Sequence, residues 1–175
     1  VLIPAHDEAA GIDNTISRLR SELSEGGRIL VVADNCNDLT AQVAAEAGAD
    51  VIVRCDPVRR GKGFALSFGR EHLALDPPEV VVVLDADCAF VPGSLGALAS
   101  VSADGTPAQS VTLLYPDRAA SPLFQISIFP LFLSILIRSR ATTRLLFSPL
   151  LSGTSLSFAA ITFSVAPLSP GSSFS

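Results

Sequence analysis

The chain contains no methionine and no tryptophan, a single tyrosine and only three cysteines. Without Met, no start residue or signal peptide is visible, and Val1 already lies in an apolar stretch, so an internal piece of a longer protein is expected. Cys36, Cys55 and Cys88 are far apart, which excludes the closely spaced pair of a zinc or dithiol motif. Their odd number argues against a disulfide framework, and small buried thiols in a reducing compartment are expected. No acidic residue and no histidine follows Asp117: all 17 Asp and Glu lie at or before it with eight of the 12 basic residues, leaving four Arg in the last 58 residues. A net charge of −5 removes the basic surface that non-specific nucleic-acid binding requires, so no nucleic-acid partner is expected. Neither the Walker pattern G-x-x-x-x-G-K-[ST] nor the dinucleotide fingerprint G-x-G-x-x-G occurs. Long apolar runs are also scarce. Residues 121–137 give 17 positions without a charge, the lower end of the roughly 17–25 needed to span a bilayer, and Gln125 and Pro130 interrupt them. A helix lying on a membrane surface or against the domain fits the segment as well, with contact expected through 121–147.

What is present suits one α/β domain. Of 175 residues, 49% are hydrophobic, enough for a substantial core. Short apolar runs alternate with helical patterns through residue 115, which predicts β-α-β units and a parallel sheet. Strands are expected at Val1–Ile3, Ile29–Ala33, Val51–Val53, Val80–Leu84 and Gln109–Tyr115. Ile12, Ile16, Leu19 and Leu23 mark one face of a first helix, ended by Gly26-Gly27. A second helix is expected near Thr40–Ala47, stopped by Gly48, a third with Phe64, Phe68 and Leu73 on its apolar face, and a fourth opened by Pro92-Gly93.

The run Val80–Leu84 has no polar alternation, the pattern of a strand covered on both faces, and it ends in Asp85-Ala86-Asp87. Open parallel sheets bind ligands beyond the carboxyl ends of their strands. Two carboxylates one residue apart repel unless a cation or donors compensate, and Mg²⁺ or Mn²⁺ bridging to a substrate diphosphate would do so. A lone D-x-D is a weak signal, since Asp pairs are common in surface turns, and its place after five apolar residues strengthens it. Arg59-Arg60-Gly61-Lys62-Gly63 sets three cations and two glycines at a loop-to-helix junction that favours anions, although for an isolated stretch of this kind a solvated basic loop is the better reading. Asp34 and Asp38 follow the second strand and reach the same sheet edge; either contacts a base or ribose, or caps the next helix, and for Asp38 capping is the better reading. His6 reads as a polar turn residue with no partner apparent from spacing.

Taken in order, Ile3-Pro4-Ala5-His6-Asp7-Glu8, Asp34-Asn35-Cys36-Asn37-Asp38-Leu39-Thr40, Arg60-Gly61-Lys62-Gly63 and Asp85-Ala86-Asp87 resemble the family 2 glycosyltransferases, most closely the bacterial members that build exopolysaccharide or glycolipid. Leu151-Ser152-Gly153-Thr154-Ser155 is similar to a later G-T-G segment of that family. The resemblance implies a GT-A fold, a three-layer α/β/α sandwich with a mostly parallel central sheet, and a divalent metal, Mn²⁺ or Mg²⁺. It implies that Pro4, Ala5 and Glu8 line a nucleoside pocket, that Asp34 holds the base, and that Arg60 and Lys62 approach the phosphates. Asp85 would face the ribose or the metal, Asp87 would ligate the metal, and Gly153 and Thr154 would lie on the acceptor side. Asp7 stands where the family usually has Asn, and Leu39 where Asp is frequent. Inverting members use a downstream Asp as base, and no residue after Asp117 is able to serve.

The resulting expectation is a metal-dependent, inverting transfer of sugar from a nucleotide diphosphate donor to a hydroxyl acceptor, saccharide or lipid-linked, in the cytoplasm or at the inner face of the plasma membrane. Residues 1–117 would form the nucleotide-sugar core and 118–175 an incomplete acceptor-side, membrane-proximal segment. Two alternatives stand beside it: a nucleotide-sugar-binding remnant without turnover, and a sugar nucleotidyltransferase. Against the latter, its glycine-rich G-x-G-T-x-x loop is replaced by Pro4-Ala5-His6-Asp7-Glu8.

Overall fold

The computed structural model describes residues 1–103, 108–110 and 160–164. Its order is β1 (Leu2–Ala5), α1 (Ile12–Glu22), β2 (Leu30–Asp34), α2 (Thr40–Glu46), β3 (Asp50–Arg54), α3 (Lys62–Leu73), β4 (Val80–Leu84), α4 (Ser94–Ala103), β5 (Ala108–Gln109) and β6 (Ala160–Ser164). The strands form one sheet in the order β3-β2-β1-β4-β6-β5. β1 to β4 run parallel, as their unalternating apolar sequences predict, β6 pairs antiparallel with β4, and β5 pairs antiparallel with β6.

Successive strand residues point to opposite faces, so each face gathers its own core. Ile3, Val31, Val82 and Leu84 pack with Ile12, Ile16 and Leu19 of α1, Ala44 of α2, and Leu95 and Leu98 of α4. Leu2, Leu30, Val32, Val81 and Val83 meet α3 through Ala65 on the other face. The result is the expected three-layer sandwich. Every apolar position expected of α1 turns inward, Leu23 lying just past its end as a partly buried contact.

The face of α3 differs from expectation. Phe64 is 45% exposed, while Ala65 and Gly69 are buried, with Phe68 and Leu73 at the margin. Close approach to the sheet is the reason: a Cβ on Gly69 would sit 2.6 Å from Leu2 Cδ1 and 3.0 Å from Val32 Cγ2. Small residues therefore line the contact, and the large aromatic at 64 is turned outward.

Of the fifth expected strand, Gln109 lies in β5; the rest of Gln109–Tyr115 lies outside the described residues. β6 was not anticipated. It pairs with β4 from Val80↔Ser164 to Leu84↔Ala160, which adds a strand from late in the chain to the sheet. The described residues all belong to one compact unit. The segment 121–147 and the motif 151–155, with Gly153 and Thr154, lie outside the described residues. Among the described residues, no helix is long and apolar enough to cross a membrane.

Candidate functional site

Because β1 to β4 are parallel, the loops after Ala5, Asp34, Arg54 and Leu84 emerge at one edge of the sheet. The chain builds β1, β2 and β3 outward in one direction and then places β4 on the other side of β1, so the strand order reverses between β1 and β4. A crevice is expected at such a point. Pairing between β1 and β4 is confined to Leu2↔Val83, and Pro4, two residues further, has no N–H to extend it. The half-buried Pro4 and the buried Ala5 thus stand where the two strands cease to pair.

Asp85 and Asp87 lie just beyond β4 beside Cys88, one ligating atom of each residue falling within 4.8 Å of the others. The ammonium of Lys62, the first residue of α3, forms an ion pair with Asp85 Oδ1, so the charge of Asp85 is compensated. Asp87 is exposed, with Cys88 Sγ 3.5 Å from Oδ1. Burial pushes the Cys88 thiol up to about 12, and the charges of Asp87 and Asp85 add to this, so it stays protonated at neutral pH. The cluster therefore offers carboxylate oxygens, the donor set that a hard divalent ion prefers.

The β1–α1 loop feels the same acids. The Glu8 carboxyl is raised above its usual range first by burial, then by the charges of Asp87 and Asp38, with Asp85 adding less. Backbone N–H groups tie this loop to its neighbour: Glu8 N donates to Thr40 Oγ1 at 2.8 Å and Ala9 N to Asp38 Oδ2 at 3.0 Å. Asp38 also accepts from Thr40 N at 2.9 Å, from one residue before Leu39, the N-cap of α2. The Thr40 hydroxyl, a second donor to Asp38 Oδ1, is the largest cause that holds its carboxyl below the usual range.

The raised Glu8 carboxyl fixes a pH dependence. A group whose folded pKa lies above its unfolded value favours the folded state below the unfolded value, near 4.5, and that contribution is lost as pH rises through the folded pKa. Removing one neighbouring charge with Asp87→Asn is expected to move the Glu8 titration toward lower pH. Carbon-detected NMR of the Glu8 carboxyl measures this, and an unmoved titration would show that Asp87 does not act on Glu8.

The third loop holds a network that the sequence reading missed. Arg54, at the end of β3, donates to Asp34 Oδ1 at 2.6 Å in a pair whose side chains are 9% and 8% exposed. It also reaches Asp56 Oδ2 at 3.2 Å and the Arg59 carbonyl at 2.7 Å, and its guanidinium lies 5.6 Å from the Phe64 ring centroid. The outward turn of Phe64 acquires a use in this stacking. Asp56 accepts from Arg59 N at 2.9 Å, the largest cause of its lowered carboxyl, and pairs with Arg59 Nε. With Arg59 and Lys62 committed to acids, Arg60 is the exposed cation of its loop without an ion-pair partner among the described residues. A charge directly after Val51-Ile52-Val53 was the available signal for Arg54.

Two expectations need correction. His6 does have a partner: its Nδ1 lies 2.8 Å from the Asp34 carbonyl. The cysteines are not deeply buried, since Cys55 is exposed and Cys36 and Cys88 are half-buried. Asp7, the residue standing in for Asn, adopts φ 54°, a left-handed conformation that Asn and Asp both tolerate, and its Oδ1 accepts from Asn37 N at 2.6 Å.

A family model described as Glycosyl transferase family 2 matches residues 1–165. No curated protein matches the chain. Among solved structures, glucosyl-3-phosphoglycerate synthase from Mycobacterium tuberculosis, in complex with Mn²⁺, UDP and phosphoglyceric acid, aligns with a TM-score of 0.55 and 22% identity over 93% of this chain and 54% of that one. Mannosyl-3-phosphoglycerate synthase from Rubrobacter xylanophilus gives 0.54 and 23%, over 93% and 52%. This chain spans about half the length of either structure. Both likenesses establish the fold, the mostly parallel GT-A sandwich expected from the motifs.

Proposed function

Because the chain belongs to glycosyl transferase family 2, we propose that it holds the donor half of a metal-dependent site that passes a sugar from a nucleotide diphosphate to a hydroxyl acceptor with inversion. The observation that carries this reading is the placement of Asp85, Asp87 and Glu8 in the loops at the β1/β4 switch point, where burial first and then the charge of Asp87 raise the Glu8 carboxyl. Asp87 holds the divalent ion, Mn²⁺ or Mg²⁺, since Asp85 is already neutralised by Lys62 and is left to face the ribose or the ion's second side. When bound, that ion would offset the charge that develops on the departing diphosphate. Lys62 and Arg60 approach the same phosphates from the start of α3. Pro4, Ala5 and Glu8 border the nucleoside. Asp34 uses Oδ1 for both Arg54 and Asn35, which leaves Oδ2 for a base N–H.

Gly153 and Thr154 are assigned to the acceptor side by motif. Residues 118–175 hold no Asp, Glu or His, so the group that takes the acceptor proton is not among them. Their four Arg suit an acceptor carried at an anionic surface, such as a lipid-linked saccharide at the inner face of a membrane. The same lack of acids favours a second reading, a nucleotide-sugar-binding remnant.

UDP and Mn²⁺ accompany the M. tuberculosis neighbour, which makes radiolabelled UDP-glucose with Mn²⁺ the first probe. Slow hydrolysis or transfer of the label is the expected outcome. Saturable binding without turnover would favour the remnant, and absence of binding to any nucleotide diphosphate sugar would end the proposal.

A further inference from the structure

We propose that His6, Asp7 and Cys36 form a second metal site, suited to a borderline divalent ion of the zinc class and separate from the carboxylates at Asp85 and Asp87. His6 and Asp7 follow β1 and Cys36 follows β2, and the register Ala5↔Ala33 sets those loops side by side. One ligand atom from each residue lies within 4.8 Å of the other two. Tetrahedral zinc, with bonds of about 2.0–2.3 Å, spaces its ligand atoms roughly 3.3–3.8 Å apart, so side-chain adjustment closes the set.

The His6 ring is already oriented as a ligand ring is. Nδ1 lies 2.8 Å from the Asp34 carbonyl oxygen. A carbonyl only accepts, so Nδ1 carries the proton and Nε2 presents its lone pair, the second-shell arrangement of a metal-bound imidazole. Nε2 faces Asp7 Oδ2 at 3.8 Å, longer than a hydrogen bond and near the spacing of two ligands on one ion. Asp7 is fixed through its other oxygen, which accepts from Asn37 N at 2.6 Å, leaving Oδ2 for the ion. The Cys36 thiol makes weak contacts, 3.5 Å to the Ala5 carbonyl and 3.9 Å to that of Asp34, and coordination releases its proton to solvent. One nitrogen, one oxygen and one sulfur ligand select zinc-like ions over Mg²⁺ or Mn²⁺, which prefer oxygen alone. Three protein ligands leave a fourth position for water or an outside ligand.

Co²⁺ serves as the probe because its spectrum reports thiolate ligation. Added to the reduced full chain, it is expected to give a thiolate-to-cobalt charge-transfer band and the intense visible bands of four-coordination, both abolished by one equivalent of Zn²⁺. Cys36→Ser should remove the charge-transfer band, while Cys55→Ser and Cys88→Ser should keep it. His6→Gln should weaken Co²⁺ binding by at least about tenfold. No band in the unaltered protein, or a band that depends on Cys55 or Cys88 instead of Cys36, overturns the site. If Cys36→Ser does not fold, by circular dichroism, Asp7→Asn decides instead: it accepts the same φ, and unchanged Co²⁺ affinity overturns the proposal, whereas a tenfold loss with the band retained supports it.

Discussion

Asp87→Ala is expected to abolish the metal-dependent part of nucleotide diphosphate binding while leaving the fold intact. Loss of a partner that merely supports a metal ligand typically costs 10–100-fold in affinity, so loss of a ligand should exceed about 100-fold. The neighbouring Asp85 is a poor substitute because the Lys62 ammonium already occupies it. Asp87 is exposed, and surface changes outside packed networks usually stay within about 0.5 kcal/mol of stability. Calorimetry of UDP binding with and without Mn²⁺ separates the terms: Mn²⁺ should tighten UDP binding to the unaltered chain and leave the variant's affinity where it is without the ion. An equal enhancement by Mn²⁺ in both proteins would remove Asp87 from the metal site. Lys62→Met gives the complementary case, since it frees Asp85 to face the ion but withdraws a cation from the phosphates.

The parallel sheet and its functional edge were legible because both are written in local sequence. A strand buried on two faces has no polar alternation, so Val80–Leu84 announces itself, and Asp85-Ala86-Asp87 at its end can be placed without any structure. Helical periodicity located α1 for the same reason. What escaped depends on contacts between residues distant in the chain. His6 meets the Asp34 carbonyl only because Ala5 and Ala33 share a register, and Asp34 meets Arg54 across the next strand pair, Asp34↔Arg54. Period alone marks Phe64 as apolar without showing how near α3 lies to the sheet, and the close approach of Gly69 to Leu2 favours small residues at that contact. β6 escapes because Ile161, Thr162 and Phe163 are good strand formers but a run of only three, and its pairing with β4 joins residues distant in the chain.

Arg54→Met is expected to destabilise the domain by about 3–5 kcal/mol, the usual consequence of removing one member of a buried ion pair and leaving the other charge without compensation. Total stability of about 5–15 kcal/mol makes that a large share. Asp34 is the residue left behind: it is 6% exposed, and apart from Arg54 its Oδ1 accepts only the Asn35 amide among the bonds that hold it. The same substitution releases the Arg59 carbonyl and Asp56, which fix the turn leading to Arg60 and Lys62, so nucleotide diphosphate binding should weaken together with stability. Urea denaturation of Arg54→Met, Asp34→Asn and the double variant tests the cause. If the cost arises from the uncompensated carboxylate, adding Asp34→Asn to Arg54→Met should recover a substantial part of it, because a neutral amide is far less costly to bury than a lone charge. A double variant as unstable as the sum of the singles would instead place the loss in packing of the guanidinium against Phe64.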